Sequence, residues 1–298
     1  MAETADEIFT THDIFTTHDV VHDIFTTHDV VFDGDRVVKS FRRWERGEQL
    51  REWRGLTLLH RFAPGLGPEP ISARLDADPP VIVMRRVPGQ PLGTRQATAE
   101  QVDALAAALD RMHHCVPVDV LAAADPQDTP ASLVELLKKM LAACPAPARA
   151  AQPAVRDALR AVSGFVDSDW AARAASIGEP SPVFGLCDGN LANYLWDGRS
   201  VHVIDFESAG RNDRAFDIAD LVEHISLRRG SGIEAQDLLS RLDLRSDERA
   251  RLRAYRPAFA AFWLLRLLPA GPSRRRNPPG TLQNQAEHVL SLLGTSEG

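Results

Sequence analysis

The sequence predicts an α+β protein with a strand-rich N-terminal third and a mostly helical remainder. Two apolar runs, 29–32 and 36–41, flank an Asp-Gly pair that is typical of a β-hairpin. A third apolar run, 81–84, predicts a buried strand. Beyond it, apolar residues recur at helical spacing, and Thr98 with Gln101 forms a capping-box pattern at the start of a helix.

Length and composition exclude several classes of protein. The chain has 298 residues, enough for one large domain or two lobes with their own cores. The longest strongly apolar run, 258–268, contains Arg266 and is too short to span a bilayer, so we expect no membrane association. Three cysteines without CxxC spacing predict reduced thiols and a cytoplasmic location. The net charge of -7 argues against nucleic-acid binding and favours a cationic small-molecule partner.

The N-terminus contains three copies of the hexapeptide IFTTHD, at residues 8–13, 14–19 and 24–29. These copies are too short and too unevenly spaced for a repeat architecture. Their His-Asp pairs suggest a metal site, but a terminal tail rarely supplies the supporting shell that such a site needs. We therefore interpret residues 1–23 as an extension produced by local duplication, and expect only the third copy to join the fold.

Residues 183–220 carry the strongest functional pattern. Asp188 lies in a loop rich in Gly and Asn, Asn193 follows five residues later, and Asp205 ends a short apolar run after an Asp-Gly turn. Although these residue types also populate ordinary turns, the spacing brings two carboxylates and a carboxamide to one end of a hairpin. Such oxygen ligands suit Mg²⁺, and a spare carboxylate can orient or deprotonate a hydroxyl.

This pattern resembles the catalytic and metal-binding segments of the aminoglycoside phosphotransferase family. The usual form in that family is His-Gly-Asp, four residues, Asn, and later Ile-Asp-Phe or Ile-Asp-Trp. The chain has Asp188, Asn193 and Asp205-Phe206, with Leu186-Cys187 where His and Gly are usual. By this resemblance Asp188 is the catalytic residue, and Asn193 and Asp205 hold Mg²⁺.

The resemblance covers about residues 30–293 and implies a bilobal, protein-kinase-like fold. A small N-terminal lobe with an antiparallel sheet would occupy residues 24–88 and bind the nucleotide. A larger, mostly helical C-terminal lobe, residues 89–298, would carry the catalytic and acceptor-binding groups. By the same resemblance, Asp217 would support the catalytic loop, whereas we expect His113 or His114 to be a packing residue.

The N-terminal lobe supplies the expected nucleotide contacts. Lys39 is one of only three lysines in an Arg-rich chain, and by resemblance it contacts the phosphates from its strand. A helix over residues 42–60 would hold Lys39 through Glu52, with Glu48 as the alternative. The hinge residues that would bind the adenine are Met84, Arg85 and Val87. The chain has no P-loop and no glycine-rich loop, so residues 26–28 would cover the phosphates instead.

The resemblance implies transfer of the γ-phosphate of ATP to a hydroxyl of a small molecule, with GTP as an open alternative. An aminoglycoside or a related cationic antibiotic fits the acidic composition. The candidate cation-binding residues are Glu207, Asp213 and Glu223. Two alternatives stay open: a metabolic kinase for an amino alcohol, homoserine or sugar, and a non-catalytic pseudokinase. The sequence also leaves open whether the protein is a monomer or a homodimer.

Overall fold

The chain folds into a small sheet-rich lobe and a larger helical lobe. The computed structural model describes residues 28–124, 129–144, 152–268 and 277–294. The first two hexapeptide copies, together with Thr26 and Thr27 of the expected phosphate-covering segment, lie outside the described residues. His28, the last residue of that segment, is described and opens the first strand.

An antiparallel sheet forms the N-terminal lobe, in the order β1-β2-β4-β3. Its strands are β1 (His28–Asp33), β2 (Arg36–Phe41), β3 (Pro70–Arg74) and β4 (Val81–Arg85). The predicted hairpin joins β1 to β2: Asp33 pairs with Arg36, and Gly34 takes a φ of +58°, which glycine adopts without steric cost. Lys39 and Phe41 are both buried and lie on the same face of β2.

Helix α1 (Glu48–Phe62) packs against this lobe with Leu56 and Leu59 fully buried. The prediction that the helix begins at residue 42 is wrong, because Gly47 takes a φ of +80° and the helix begins after it. A Cβ added at Gly55 would lie 2.5 Å from the Cβ of Phe206. Glycine therefore lets α1 approach the segment that follows Asp205.

Helices dominate the C-terminal lobe, as predicted. They are α2 (Ala99–Cys115), α3 (Val118–Leu121), α4 (Pro130–Ala142), α5 (Pro153–Val166), α6 (Trp170–Ala175), α7 (Arg214–Glu223), α8 (Ile225–Arg228), α9 (Ala235–Arg241), α10 (Ser246–Leu267) and α11 (Thr281–Gly294). Both halves of the capping box at Thr98 are present. Residues 248–268 predict a helix that is kinked or split at Pro257, and in the structure α10 continues through Pro257 as one helix.

Two predicted helices are each broken in two. The helix expected over residues 154–175 is interrupted at residues 167–169, between α5 and α6. The helix expected over residues 214–227 stops at His224, whose ψ of 139° is extended and whose side chain caps α8. The side chains of Ser168 and His224 accept hydrogen bonds from the N–H groups of Trp170 and Ser226, so each starts a new helix inside a continuous apolar pattern.

Short strands position the loop of the C-terminal lobe that contains Asp188. They are β5 (Gln90–Pro91), β6 (Pro182–Gly185), β7 (Tyr194–Trp196), β8 (Val201–Val203) and β9 (Gly210–Asp213). The predicted hairpin is the β7–β8 pair, which β5 extends. The β6–β9 pair was not predicted, because its residues lack an apolar alternation. In the described part of the chain, no helix is long and apolar enough to cross a membrane.

Candidate active site

The loop between β6 and β7 carries Asp188, and α7 and α8 fix its backbone. The N–H groups of alternate loop residues donate to side chains: Cys187 to Asp217 Oδ1 at 2.8 Å, Gly189 to Asp220 Oδ2 at 3.0 Å and Leu191 to Ser226 Oγ at 2.9 Å. Buried backbone donors need such partners. The loop therefore has one defined path past α7 and α8.

Asp217 is the buried anchor of this loop. Its second oxygen accepts a hydrogen bond of 2.8 Å from Nε2 of His113, which is also buried. A Cβ at Gly185 would lie 2.9 Å from Asp217 Oδ1, so glycine is needed for the approach. The structure therefore places Asp217 and His113 in the supporting and packing positions that the sequence suggested.

Asp188 is a carboxylate whose surroundings favour its protonated form. Burial raises its pKa to about 6, and the negative charge of Asp205 acts in the same direction. The N–H of Asn190, 3.1 Å from Asp188 Oδ1, acts against this shift. A carboxylate with a pKa near 6 is ionised at neutral pH, yet it is a stronger base than an exposed aspartate.

Asp205, after β8, has the opposite electrostatic environment. Burial acts to raise its pKa, but the charge and hydrogen bond of Lys39 outweigh burial and hold the pKa below its usual range. The Lys39 Nζ–Asp205 Oδ1 distance is 2.6 Å. Asp205 also has a φ of +67°, in the left-handed region that non-glycine residues rarely adopt. Such strain persists where the surrounding structure over-determines it, often at functional sites.

Lys39 joins the two lobes. Its Nζ lies 3.0 Å from Glu52 Oε2 on α1 as well as 2.6 Å from Asp205. Burial acts to lower the Lys39 pKa, but the three nearby carboxylates, Glu207 included, raise it overall. Glu48, the alternative partner in the sequence, instead pairs with Arg46. The amine is therefore charged and held between the N-terminal sheet and the end of the β7–β8 hairpin.

Asn193 lies at the end of the short 3₁₀ turn Leu191–Asn193 and is buried. Its side-chain nitrogen makes no hydrogen bond of ordinary geometry among the described residues, although it lies near enough to the Asp188 carboxylate to lower the pKa of that group. A buried polar group without a well-formed hydrogen bond is uncommon and points to a missing ligand. A half-turn of the amide presents its oxygen, so Asn193 and Asp205 offer the pair of protein oxygens that suits Mg²⁺ with phosphate and water.

No group of three or more His, Cys, Asp or Glu side chains within the described ranges has the arrangement of a closed metal site.

The hinge residues follow β4. Met84 packs into the core, and the Arg85 side chain pairs with Asp35. The backbone N–H groups of Arg85 and Arg86 donate to Glu69 O at 2.8 Å and Asp35 O at 2.7 Å. In the described part of the chain, the N–H of Val87 has no such partner.

The three acidic residues expected to bind a cationic acceptor already have internal partners. Glu207 contacts His28, which stacks on Phe41. Asp213 caps α7 and binds Arg251 and Tyr255, at 2.9 and 3.0 Å. Glu223 is fully buried between Arg256 and His288. Each of these carboxylates therefore already has an internal partner, and its role in acceptor binding stays a prediction.

Some site residues carried little sequence signal. Ser226, which holds Leu191, lies in what reads as an ordinary amphipathic helix. The sequence offers Asp220 as one more acidic residue for a cationic acceptor, whereas its carboxylate accepts a hydrogen bond from the N–H of Gly189. Ser226 becomes informative only when the break at His224 places α8 beside the loop.

Comparison with known proteins agrees with this geometry. The profile of the phosphotransferase enzyme family (APH) matches residues 25–274. No curated protein matches the chain.

Similar folds occur in a choline/ethanolamine kinase family protein from Mesorhizobium loti (18% identity, 96% of this chain and 91% of that chain, TM-score 0.64) and a choline kinase from Streptococcus pneumoniae (15%, 94% and 94%, 0.61). A third is a spectinomycin phosphotransferase in complex with ADP and spectinomycin (12%, 95% and 93%, 0.62). These low identities show the shared fold alone. The family match over most of the chain shows more: this protein belongs to the phosphotransferase enzyme family, and it is a small-molecule phosphotransferase of protein-kinase-like fold that acts on hydroxyl groups.

Proposed function

We propose that the protein transfers the γ-phosphate of ATP to a hydroxyl of a small, amine-bearing molecule, with Asp188 as the catalytic base. One observation carries this assignment. Two neighbouring carboxylates have oppositely shifted pKa values: burial raises that of Asp188 to about 6, whereas Lys39 overcomes burial and lowers that of Asp205. Such a pair separates a proton acceptor from a permanently charged ligand.

Asn193 and Asp205 are the proposed Mg²⁺ ligands. Bound Mg²⁺ neutralises charge on the phosphates. Lys39, held by Glu52, supplies a second positive charge on the side of the N-terminal lobe. Since Glu52 is buried and Lys39 has a fixed position, the amine needs little reorganisation when the nucleotide enters.

The lobe boundary proposed near Pro88 gives the nucleotide a place between residues 24–88 and 89–298. Among the proposed hinge residues Met84, Arg85 and Val87, the N–H of Val87 is the donor we assign to the adenine. Support comes from the N–H groups of Arg85 and Arg86, which are used within the N-terminal lobe.

A phosphorylation screen tests the proposal. Purified protein with Mg-ATP is incubated with choline, ethanolamine, homoserine, sugars, spectinomycin and aminoglycosides, and each acceptor is analysed by mass spectrometry for a phosphate adduct. We expect an adduct on at least one amine-bearing alcohol, lost in Asp188→Asn and retained in Asp157→Asn, a matched change at an exposed helix position. Stabilisation of the wild type by Mg-ATP without any adduct would instead indicate a pseudokinase.

A metabolic kinase for an amino alcohol is the second candidate. It is supported because a choline kinase and a choline/ethanolamine kinase family protein share this fold, just as a spectinomycin phosphotransferase supports the antibiotic acceptor. The KM values for the acceptors distinguish a resistance enzyme from a metabolic kinase. A resistance enzyme should have low micromolar KM values for an antibiotic, whereas a metabolic kinase should use the amino alcohol efficiently and antibiotics poorly.

A further inference from the structure

A polar cavity lies between the end of α8 and the first turns of α11. Its volume is about 310 Å³. Among the described residues it is lined by Arg228, Arg229, Gly230, Thr281, Asn284 and Gln285. None of these belongs to the proposed nucleotide or metal site. We call this set of residues the basic pocket.

Neutral oxygens anchor both guanidinium groups of the basic pocket. Arg228 donates to Gln285 Oε1, and Arg229 donates to Thr281 Oγ1. The amide of Gln285 is itself fixed, because its nitrogen donates to Ala260 O at 2.8 Å. The arginines are therefore held in place by groups that leave their positive charges uncompensated, and each keeps further N–H donors for a ligand.

Among the residues that the structure describes, positive charge exceeds negative charge around the basic pocket. Glu223 is the nearby buried carboxylate, and it is already shared by Arg256 and His288, each at 2.6 Å. Burial, together with the charges of Arg256 and Arg229, outweighs Glu223 and lowers the pKa of Arg228. Among the described residues, Arg228 thus lies near two other guanidinium groups and one carboxylate that is already paired, which is a costly arrangement unless an anion completes it.

We propose that the basic pocket binds an oxyanion, either a phosphate or a carboxylate group. Two arginines with fixed planes suit the paired oxygens of such groups. Helix α11 begins at Thr281, a lining residue, so the positive end of this helix lies beside the same cavity. The volume is at the lower end of the range for small-molecule sites, so it holds a small ligand and not only a bare ion.

Helix α8 links the basic pocket to the catalytic loop. Ser226, near its start, accepts the hydrogen bond from Leu191, and Arg228 is its last residue. An anion at Arg228 would therefore lie one short helix away from the loop that carries Asp188. The anion is either a group of the phosphoryl acceptor or a separate small ligand.

Titration with inorganic phosphate tests the site without nucleotide, metal or turnover, so it is independent of the proposed function. Melting temperature is followed in Mg²⁺-free buffer at constant ionic strength. We expect phosphate to stabilise the wild type and Arg266→Gln, an exposed control on α10, and to bind about tenfold or more weakly to Arg229→Gln. Lys39→Met should retain the phosphate effect. If Lys39→Met loses it and Arg229→Gln keeps it, phosphate binds elsewhere and the proposal is overturned.

The variant Asn284→Asp tests whether weaker phosphate binding to Arg229→Gln could come from misfolding instead of the lost charge. Asn284 is an exposed residue of the basic pocket, and a carboxylate there supplies the missing negative charge. We expect this variant to melt above the wild type without phosphate and to lose the phosphate-dependent rise. An Asn284→Asp protein that melts no higher and still responds to phosphate would contradict the charge argument.

The same variants identify the source of the anion. If the acceptor supplies it, hydroxy acids such as glycerate or homoserine should be phosphorylated by the wild type, with KM raised about tenfold in Arg229→Gln while the KM of ATP is unchanged. If phosphate binds but hydroxy acids are not phosphorylated, the basic pocket takes a separate anion. Absence of phosphate binding to the wild type would remove the site altogether.

Discussion

Asp188 lies in a tightly held loop, and Asp205 lies in strained backbone directly after β8. Their surroundings shift the pKa values of the two carboxyl groups in opposite directions. Around Asp188, burial acts with a neighbouring carboxylate, and among the described residues no cation lowers its pKa. Around Asp205, burial is overcome by Lys39 at 2.6 Å. The difference comes from β2, which places its lysine beside one aspartate only.

Two aspartates that flank one hairpin can therefore have two different chemical roles. An aspartate that is easily protonated can accept a proton, whereas one held charged by a lysine can remain an oxygen ligand over a wide pH range. The predictions below act on one side of this contrast at a time.

The largest effect is expected from Asp188→Asn. Turnover should fall about 10²- to 10⁴-fold, the usual contribution of a general base. Because burial raises the pKa of Asp188 from 3.8 to about 6, its ionised form destabilises the folded state as pH rises through that window. The variant should therefore be more stable than the wild type at pH 7.5, by about 2 kcal/mol after allowing for partial solvent exposure.

Calorimetric melting of both proteins between pH 4 and 8 checks this. The stability difference should shrink towards zero at pH 4, where both forms are neutral at this position. An inactive variant that is less stable than the wild type at every pH would mean that Asp188 is a structural residue.

Removal of the Lys39 amine, which lies beside Asp205, should lower both the activity and the free energy of unfolding. Lys39→Met leaves Glu52 and Asp205 without their shared cation, and breaking a buried pair typically costs about 3–5 kcal/mol. The double variant Lys39→Met/Glu52→Gln should recover part of the unfolding free energy, since it removes one unpaired carboxylate, but it should not recover activity.

Denaturant unfolding of the two variants measures the coupling. Equal stability of the single and double variants would show that Glu52 and Lys39 do not interact as described.

The pH dependence of kcat/KM should report the environment of Asp188. Below its pKa of about 6 the base is protonated, so log kcat/KM should rise by about one per pH unit and level off above pH 6. Glu207→Gln should move this limb slightly to lower pH, because the charge of Glu207 contributes to the raised pKa. A limb near pH 4 in the wild type would contradict the raised pKa of Asp188.

The smallest expected effect is at Cys187, which stands where the family usually has glycine. Its φ of +58° costs about 1–2 kcal/mol for a side chain with a Cβ, whereas glycine costs about 0.5–1 kcal/mol in chain entropy. Cys187→Gly relieves this strain but also removes the sulfur that accepts a hydrogen bond of 3.2 Å from Asn212 Nδ2, so it should change the unfolding free energy by no more than about 0.5 kcal/mol and retain activity.

The control is Cys115→Gly, at the last turn of α2, which should destabilise the protein by about 1 kcal/mol or less. If both changes destabilise equally, the backbone at Cys187 is not strained.

The sequence predicted much of this site because its spacing is local. Asp188 and Asn193 lie five residues apart, and the hairpin that brings in Asp205 has an Asp-Gly turn, so short-range rules were enough. Lys39 and Glu52 required the resemblance to a family, since nothing in the strand or helix pattern relates residues on two separate elements.

The errors arose where tertiary contacts override local pattern. Residues 42–47 read as the start of a helix, but Gly47 adopts a left-handed conformation. His224 interrupts an apolar periodicity that otherwise continues, and the break is what brings Ser226 to the loop. Acidic residues also look alike in sequence: only the structure shows that Glu223 is fully buried between cations.

We propose that Asn193 and Asp205 hold a divalent ion against a nucleotide facing Lys39. Isothermal titration of ATP with and without Mg²⁺, into the wild type, Asn193→Ala and Asp205→Asn, tests this arrangement without knowledge of the acceptor. We expect Mg²⁺ to tighten ATP binding to the wild type and to have little effect on either variant. Wild-type ATP binding that is the same with and without Mg²⁺, or an undiminished Mg²⁺ effect in Asp205→Asn, would contradict the proposed metal site.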